Sequence, residues 1–167
     1  RVQLLQVRNE VTYVNNVRDF FVEVIDGRLK VLLLANSPHP DLAVWRAALL
    51  AQRNYEVDTR MAADFSANDL KKYDLVVLHQ LPSSKYLIQS VLDEINKQQI
   101  PKIFLTGYQT DLYAFNKAQT LLNIDYTGNR SPNEVTMIYN PGFNSFNTSD
   151  ELRNKLGTFS PLLSPFG

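Results

Sequence analysis

The sequence contains no cysteine, which excludes disulfide bonds, thiolate metal sites and cysteine nucleophiles. It also lacks an excess of either charge, because 17 Lys and Arg residues balance 17 Asp and Glu residues. A neutral chain has no long-range field that attracts a phosphate backbone, so nucleic acid is not an expected partner. The longest strongly apolar run, residues 31–35, is far shorter than the roughly 20 residues that cross a bilayer, so we expect no membrane insertion by this segment.

The chain otherwise has the composition of a globular protein. Of its 167 residues, 44% are hydrophobic and 20% are charged, which is enough apolar material for one full core. The first residue is Arg1, and the stretch 160–167 is typical of a linker or of the start of a further strand. We therefore interpret the sequence as a piece of a longer protein, truncated at its C-terminus.

Residues 1–28 carry a strand-like pattern and no helical stripe. β-Branched and aromatic residues alternate with turn residues, notably the Asn pair at 15–16, which predicts a β-hairpin. The order of Glu10, the Asn pair, Arg18 and the apolar residues 20–25 resembles the last two strands of immunoglobulin-like adhesion modules of bacterial surface proteins. This segment is thus interpreted either as the end of such a module or as a hairpin extension of the main domain.

From residue 29 onward, short apolar runs alternate with amphipathic helical patterns. Strands are predicted at 30–35, 55–61, 74–78 and 102–106, and a helical turn is predicted at 67–72. Helices are predicted from the cap Asp41 to about 54, from Ser83 or Ser84 to about 100, and over 111–122. This alternation predicts right-handed crossovers and a mainly parallel sheet covered on both faces. The expected fold of residues 29–167 is therefore an α/β, three-layer α/β/α sandwich of flavodoxin-like type.

The pattern becomes less regular after residue 123. Residues 135–139 predict a strand, antiparallel at an edge of the sheet. Thr148 and Glu151 have the spacing of a capping box and predict a short helix that carries Leu152 and Leu156.

Three predicted loops follow the carboxyl ends of parallel strands, where ligands gather in open sheets. These loops are residues 36–41, 79–84 and 107–111, and they hold both histidines of the chain. The first loop contains two prolines and no glycine, so it lacks the glycine-rich turn that dinucleotides and flavin phosphate require, and we expect no cofactor. The candidate site residues are His39, Asp41, His79, Gln80, Tyr108, Gln109 and Thr110.

The first loop resembles the opening of the LmbE-like zinc deacetylases. Residues 32–41 form a predicted strand followed by Pro-His-Pro-Asp, whereas that family has His-Pro-Asp-Asp-Glu. The resemblance implies a metal-ligand role for His39 and a general-base role for Asp41. Leu42 replaces the second ligand and offers no lone pair, so a metal would need His79 or Asp111.

Residues 29–123 resemble the class I glutamine amidotransferase-like superfamily, including its ThuA-like branch. Residues 30–41, 73–81 and 103–111 carry the match. The family's Gly-x-Cys-x-Gly elbow corresponds to Gly-Tyr-Gln-Thr-Asp at 107–111, which puts Gln109 in place of the nucleophile. The glycine-rich oxyanion loop is replaced by His-Gln-Leu-Pro. Since a carboxamide is not nucleophilic, the resemblance implies a domain without catalytic residues rather than an enzyme.

Such degenerate domains occur inside large multidomain proteins of Bacteroidetes-type bacteria. The resemblance therefore implies a scaffold or interaction module whose partners are other domains of the same polypeptide or other proteins. Together with the absent thiols, it favours an extracytoplasmic location, in the periplasm or cell envelope, as part of a membrane-anchored protein. Two alternatives stay open: a metal-dependent deacetylase-like hydrolase or amidase that uses His39, Asp41 and His79, and a domain that binds a small ligand at the strand ends.

Overall fold

The computed structural model of the protein describes residues 2–5, 8–9, 11–12, 14–19, 21, 27–125, 133–142 and 147–164. Its strands are β1 (Val2–Gln3), β2 (Val17–Arg18), β3 (Leu29–Ala35), β4 (Tyr55–Met61), β5 (Leu75–His79), β6 (Lys102–Leu105), β7 (Asn133–Val135) and β8 (Leu162–Ser164). Its α-helices are α1 (Pro40–Leu50), α2 (Gln89–Gln98), α3 (Leu112–Ala118) and α4 (Asp150–Leu156). None of the helices in the described ranges is both long and apolar enough to span a bilayer.

The main body is a four-stranded parallel sheet with the strand order β4-β3-β5-β6. Because successive side chains of a strand point to opposite faces, the apolar run of β3 serves two cores. Leu32 and Leu34 pack in one cluster with residues of α2, whereas Val31 and Leu33 pack in the other beside Leu42 of α1. Helices therefore cover both faces of the sheet, and the predicted α/β sandwich of flavodoxin-like type is confirmed.

Helix α1 begins two residues earlier than predicted. His39 is its N-cap, with its Nδ1 accepting the N–H of Asp41 at 3.2 Å, and Pro40 occupies the first helical position. Proline is suited to that position because its missing N–H would have no partner within the helix. The prediction that Asp41 caps this helix is therefore wrong, and Asp41 lies in the first turn instead.

Helix α2 begins later than predicted, and neither Ser83 nor Ser84 caps it. Its N-cap is Ile88, which has a left-handed backbone with φ of 49°. Ser83 instead accepts the N–H of Tyr86 and forms an isolated antiparallel bridge with Thr110. These partners hold the segment after β5 as a loop. The inward face of α2 is formed by its buried residues Val91, Leu92 and Ile95.

The third predicted helix is too long at its C-terminal end. The structure ends α3 at Ala118, and Gln119 is extended, with its side chain bonded to the backbone N–H groups of Leu121 and Leu122. Leu122, the last residue of the predicted helix, is 55% exposed. The local hydrogen bonds of Gln119 end the helix before the apolar pattern does.

Two small antiparallel sheets accompany the main body, namely β1 with β2 and β7 with β8. The first confirms a hairpin near the N-terminus, although predicted strand residues 22–25 lie outside the described residues. The strand predicted at 135–139 ends at Val135 and pairs with β8 rather than with an edge of the main sheet. Helix α4 is capped by Ser149, not by Thr148, because Ser149 Oγ accepts the N–H of Leu152 at 3.2 Å. The domain boundary at 28/29 stays a prediction.

Candidate functional site

The carboxyl end of the sheet brings the three predicted loops together. In the register of β3 with β5, Ala35 is opposite His79, and in the register of β5 with β6, His79 is opposite Leu105. The ladder continues into the loops, since Asn36 N–H donates to the His79 carbonyl at 3.1 Å and Gln80 N–H donates to the Leu105 carbonyl at 2.7 Å. The central strand β5 therefore fixes His79 between the other two loops.

His39, Asp41 and His79 form one cluster at this edge. The two imidazole rings have centroids 4.9 Å apart with an interplanar angle of 43°. The Asp41 carboxylate reaches both rings: Oδ1 lies 3.4 Å from His39 Nδ1, and Oδ2 lies 3.6 Å from His79 Nε2. One ligand-type atom from each residue lies within 4.8 Å of the other two. The sequence-based expectation that the two histidines approach each other agrees with this geometry.

The two histidines differ in environment. The side chain of His39 is 38% exposed, whereas that of His79 is 4% exposed. Burial, and then the neighbouring His39, lower the pKa of His79, although the Asp41 carboxylate opposes this shift. The fold therefore favours a neutral imidazole at position 79. Its Nδ1 is buried and has no hydrogen-bond partner in the described part of the chain.

Gln109 is held by a network of polar side chains. Its Oε1 accepts hydrogen bonds from Asn36 Nδ2 and from Ser37 Oγ, the latter at 2.9 Å. Asn36 is itself fixed, because its Oδ1 accepts from Ser83 Oγ at 2.8 Å. The side chain of Gln109 thus ties the loop after β6 to the loop after β3.

Gln80 fills the space in front of the same loop. Its backbone has a left-handed conformation with φ of 53°, and its Oε1 accepts the N–H of Gln109 at 2.9 Å. A Cβ placed on Gly107 would lie only 2.9 Å from Gln80 Cδ. A side chain at 107 would therefore have to displace the Gln80 side chain, so glycine makes room for it, a reason different from exposure of a nucleophile.

The other two candidates lie at opposite extremes of exposure. Thr110 is buried, and its Oγ1 accepts the N–H of Gly107 at 3.0 Å. Tyr108 is exposed and lines a cleft of about 780 Å³ next to the two histidines. The structure therefore assigns Thr110 to the loop's internal support and leaves Tyr108 accessible to a ligand.

The cleft includes residues that the sequence patterns did not identify as site residues. Trp45 of α1 lines it and also packs, partly buried, against the apolar cluster of Val31 and Leu33. Leu162 and Leu163 of β8 line the opposite part. No local sequence signal marks these leucines, because they lie more than fifty residues along the chain from the nearest of the three loops. The remaining lining residues are His39, Asp41, His79, Gln80, Phe104, Leu105, Thr106, Gly107 and Tyr108.

Comparisons of this chain with protein-family models, with curated proteins and with solved structures found no match. The resemblance to the amidotransferase-like superfamily therefore stays a prediction, and the function has to be inferred from the site itself.

Proposed function

We propose that this domain works by binding rather than by catalysis, as an amidotransferase-like scaffold or interaction module of a larger bacterial envelope protein. The observation that carries this proposal is the state of Gln109. The residue at the expected nucleophile position is a carboxamide whose oxygen is already bonded by Asn36 and Ser37. Such a group offers no electron pair for attack on a carbonyl.

The hydrogen-bond donor expected to stabilise an oxyanion is also occupied. In an elbow of this kind, backbone N–H groups must point freely at the developing negative charge. Here the N–H of Thr110, the residue after Gln109, donates to the Gly107 carbonyl at 3.0 Å, and the N–H of Gln109 donates to Oε1 of the buried Gln80 at 2.9 Å. A substrate oxyanion would have to displace a packed side chain, which argues against acyl transfer at this loop.

The nearby hydroxyl groups are committed to structure as well. Ser83 Oγ donates to Asn36 and accepts from the N–H of Tyr86, and Thr110 Oγ1 accepts from Gly107. Both residues are buried. Activation of either hydroxyl would break a bond that holds the loops together, so we assign neither a nucleophilic role.

A second candidate function, binding of a small ligand at the strand ends, is favoured by the cleft. Its volume of about 780 Å³ is in the range of ligand sites. Apolar walls from Trp45, Leu162 and Leu163 surround a few polar groups, the combination that orients a small molecule. Both this candidate and the scaffold role use the cleft, and neither predicts turnover.

The test of the proposal is an assay of amide and ester hydrolysis. Purified protein is incubated with glutamine and with a chromogenic acetate ester, beside Gln109→Ala, His39→Ala and the control Gln52→Ala, which alters an exposed glutamine outside the site. We expect no turnover above buffer for any of them. Turnover that is lost in Gln109→Ala would contradict the proposal at the loop after β6. Turnover lost only in His39→Ala would instead support the hydrolase that uses His39, Asp41 and His79.

Binding is tested separately with neighbouring segments of the parent polypeptide. These segments are added in trans to isotope-labelled domain, and amide shifts are followed by NMR. We expect shifts concentrated around Tyr108 and Leu163 at the cleft rim. Shifts absent from this region, with binding elsewhere or none, would contradict a role for the cleft.

A further inference from the structure

We infer that His39, Asp41 and His79 form a binding site for a divalent transition-metal ion of the zinc type at the mouth of the cleft. The inference goes beyond the proposed function, because a metal ion can organise a binding site whether or not the domain catalyses a reaction. It uses atoms that the Gln109 network leaves free.

The three residues come from two elements that the sheet register holds side by side. His39 and Asp41 stand at the start of α1, and His79 ends β5. Bonds of about 2.0–2.1 Å to a tetrahedral ion place its ligands about 3.4 Å apart. Asp41 Oδ1 lies 3.4 Å from His39 Nδ1 and Asp41 Oδ2 lies 3.6 Å from His79 Nε2, so each histidine has a different carboxylate oxygen close to that spacing.

The buried imidazole of His79 is the second observation that points to an ion. The side chain of His79 is 4% exposed, and its Nε2, the ring nitrogen that faces the cluster, lies 3.6 Å from Asp41 Oδ2, which is beyond hydrogen-bond distance. Coordination of His79 by a metal ion would replace this weak contact with a strong bond.

The pairing of two imidazoles with one carboxylate explains the choice of metal. These donors suit zinc and its neighbours, whereas calcium and magnesium prefer oxygen ligands alone. Three protein ligands leave one tetrahedral position, and the cleft lies on that side of the cluster because all three residues line it. A ligand with a carboxylate, a carbonyl or an imidazole could complete the coordination from the cleft.

The exposed members of the cluster can adjust to close the site. The three ligand-type atoms lie within 4.8 Å of one another, so binding requires a contraction. His39 and Asp41 have exposed side chains, at 38% and 60%, and His79 provides the fixed point. Coordination must also compete with the cap of α1, because His39 Nδ1 accepts the Asp41 N–H in the structure described here.

The inference is tested by titration of tag-free, metal-stripped protein with zinc chloride, followed by isothermal calorimetry and by metal analysis after dialysis. We expect one zinc ion per chain. His39→Ala and Asp41→Asn should each weaken binding by about tenfold or more, since each removes a ligand. The matched control Asp69→Asn, an exposed acidic residue in the first turn of another helical segment, should bind like the original protein.

Titration with cobalt(II) reports the coordination geometry of the bound ion, which calorimetry does not measure. A visible absorption band of tetrahedral type is expected in the original protein and in Asp69→Asn, and it should be lost in His39→Ala. His39 and Asp41 are exposed, so these variants are expected to fold, and circular dichroism checks this without reliance on the buried His79. The inference is overturned if folded protein binds no zinc, or if His39→Ala and Asp41→Asn bind it as tightly as the control. Because no turnover is measured, this outcome is separate from that of the hydrolysis assay.

Discussion

Tyr73, a member of the apolar cluster that includes α2, is hydrogen-bonded to the half-buried Asp58. Tyr73 is 5% exposed, and its hydroxyl donates to Asp58 Oδ2 at 2.7 Å. Burial, and then the hydrogen bond and charge of Asp58, raise the pKa of Tyr73 to about 12. The phenol is therefore kept in its protonated form well above the pH at which an ordinary tyrosine ionises.

This pair predicts a stability that depends on alkaline pH. An unfolded tyrosine ionises near pH 10 and the folded Tyr73 near 12, so its contribution is fully present below pH 10 and is lost as the pH rises towards 12. Asp58→Asn should lower the pKa of Tyr73, because it removes the negative charge. Ultraviolet absorbance of tyrosinate, recorded during an alkaline titration, measures the step.

Two variants test whether Tyr73 is the tyrosine that ionises late in this titration. Tyr73→Phe should remove the late ionisation and destabilise the protein by about 1–2 kcal/mol, since it leaves Asp58 without its donor. Tyr108→Phe, which alters an exposed tyrosine, should leave the late step unchanged. A late step that persists in Tyr73→Phe would show that another residue is responsible.

At the scale of elements, α3 is a short helix that depends on its cap. It has seven residues, and Asp111 Oδ1 accepts the N–H of Ala114 at 2.9 Å. The backbone N–H of Asp111 also donates to the carbonyl of Pro82, which fixes the entry to the helix. A single turn of hydrogen bonds gives such a helix little stability of its own.

Replacement of the cap therefore predicts a measurable loss. Asp111→Ala should lower the free energy of unfolding by about 1 kcal/mol, within the 0.5–2 kcal/mol range of N-cap deletions. Asp111→Asn keeps an acceptor oxygen and should lose much less. Urea unfolding of the three proteins measures both changes, and equal midpoints for Asp111→Ala and the original chain would show that the cap does not support α3.

Elements with strong periodicity were predictable from the sequence, whereas ends fixed by individual side-chain hydrogen bonds were not. The strand Tyr55–Met61 was predicted to the residue, because β-branched and aromatic residues lie between clear turns. The start of α2 was missed because serine is a residue type that commonly caps helices. The Ser83 hydroxyl instead donates a hydrogen bond to Asn36, 47 positions away in the chain. Local patterns contain no information about such a partner.

The same distinction applies to the candidate site. His39 and His79 could be placed together from strand-end geometry alone, because the carboxyl ends of parallel strands share one edge of a sheet. The roles of Gln80 and Leu163 could not be predicted. Gln80 acts through a left-handed backbone that its sequence does not signal, and Leu163 lines the cleft although β8 lies far along the chain from the three loops.

At the scale of the whole molecule, stability is concentrated in the two central strands. The buried residues of β3 and β5 are covered on both faces by the two apolar clusters. In contrast, the residues of β7 are all exposed, and those of β8 are exposed or half-buried. Opening of the central strands requires disruption of both clusters, whereas the β7–β8 pair can open alone.

Native-state hydrogen exchange is expected to separate these regions. Amides of residues 31–35 and 76–79 should exchange only through global unfolding, with an opening free energy that falls with denaturant as steeply as global stability does. Amides of β7 and β8 should exchange with small opening free energies that depend little on denaturant, because little surface is exposed when they open. Equal protection of β8 and β5 would contradict independent opening of the β7–β8 pair. It would show that Leu162 and Leu163 belong to the central cooperative unit. The cleft that they line would then be as rigid as the sheet.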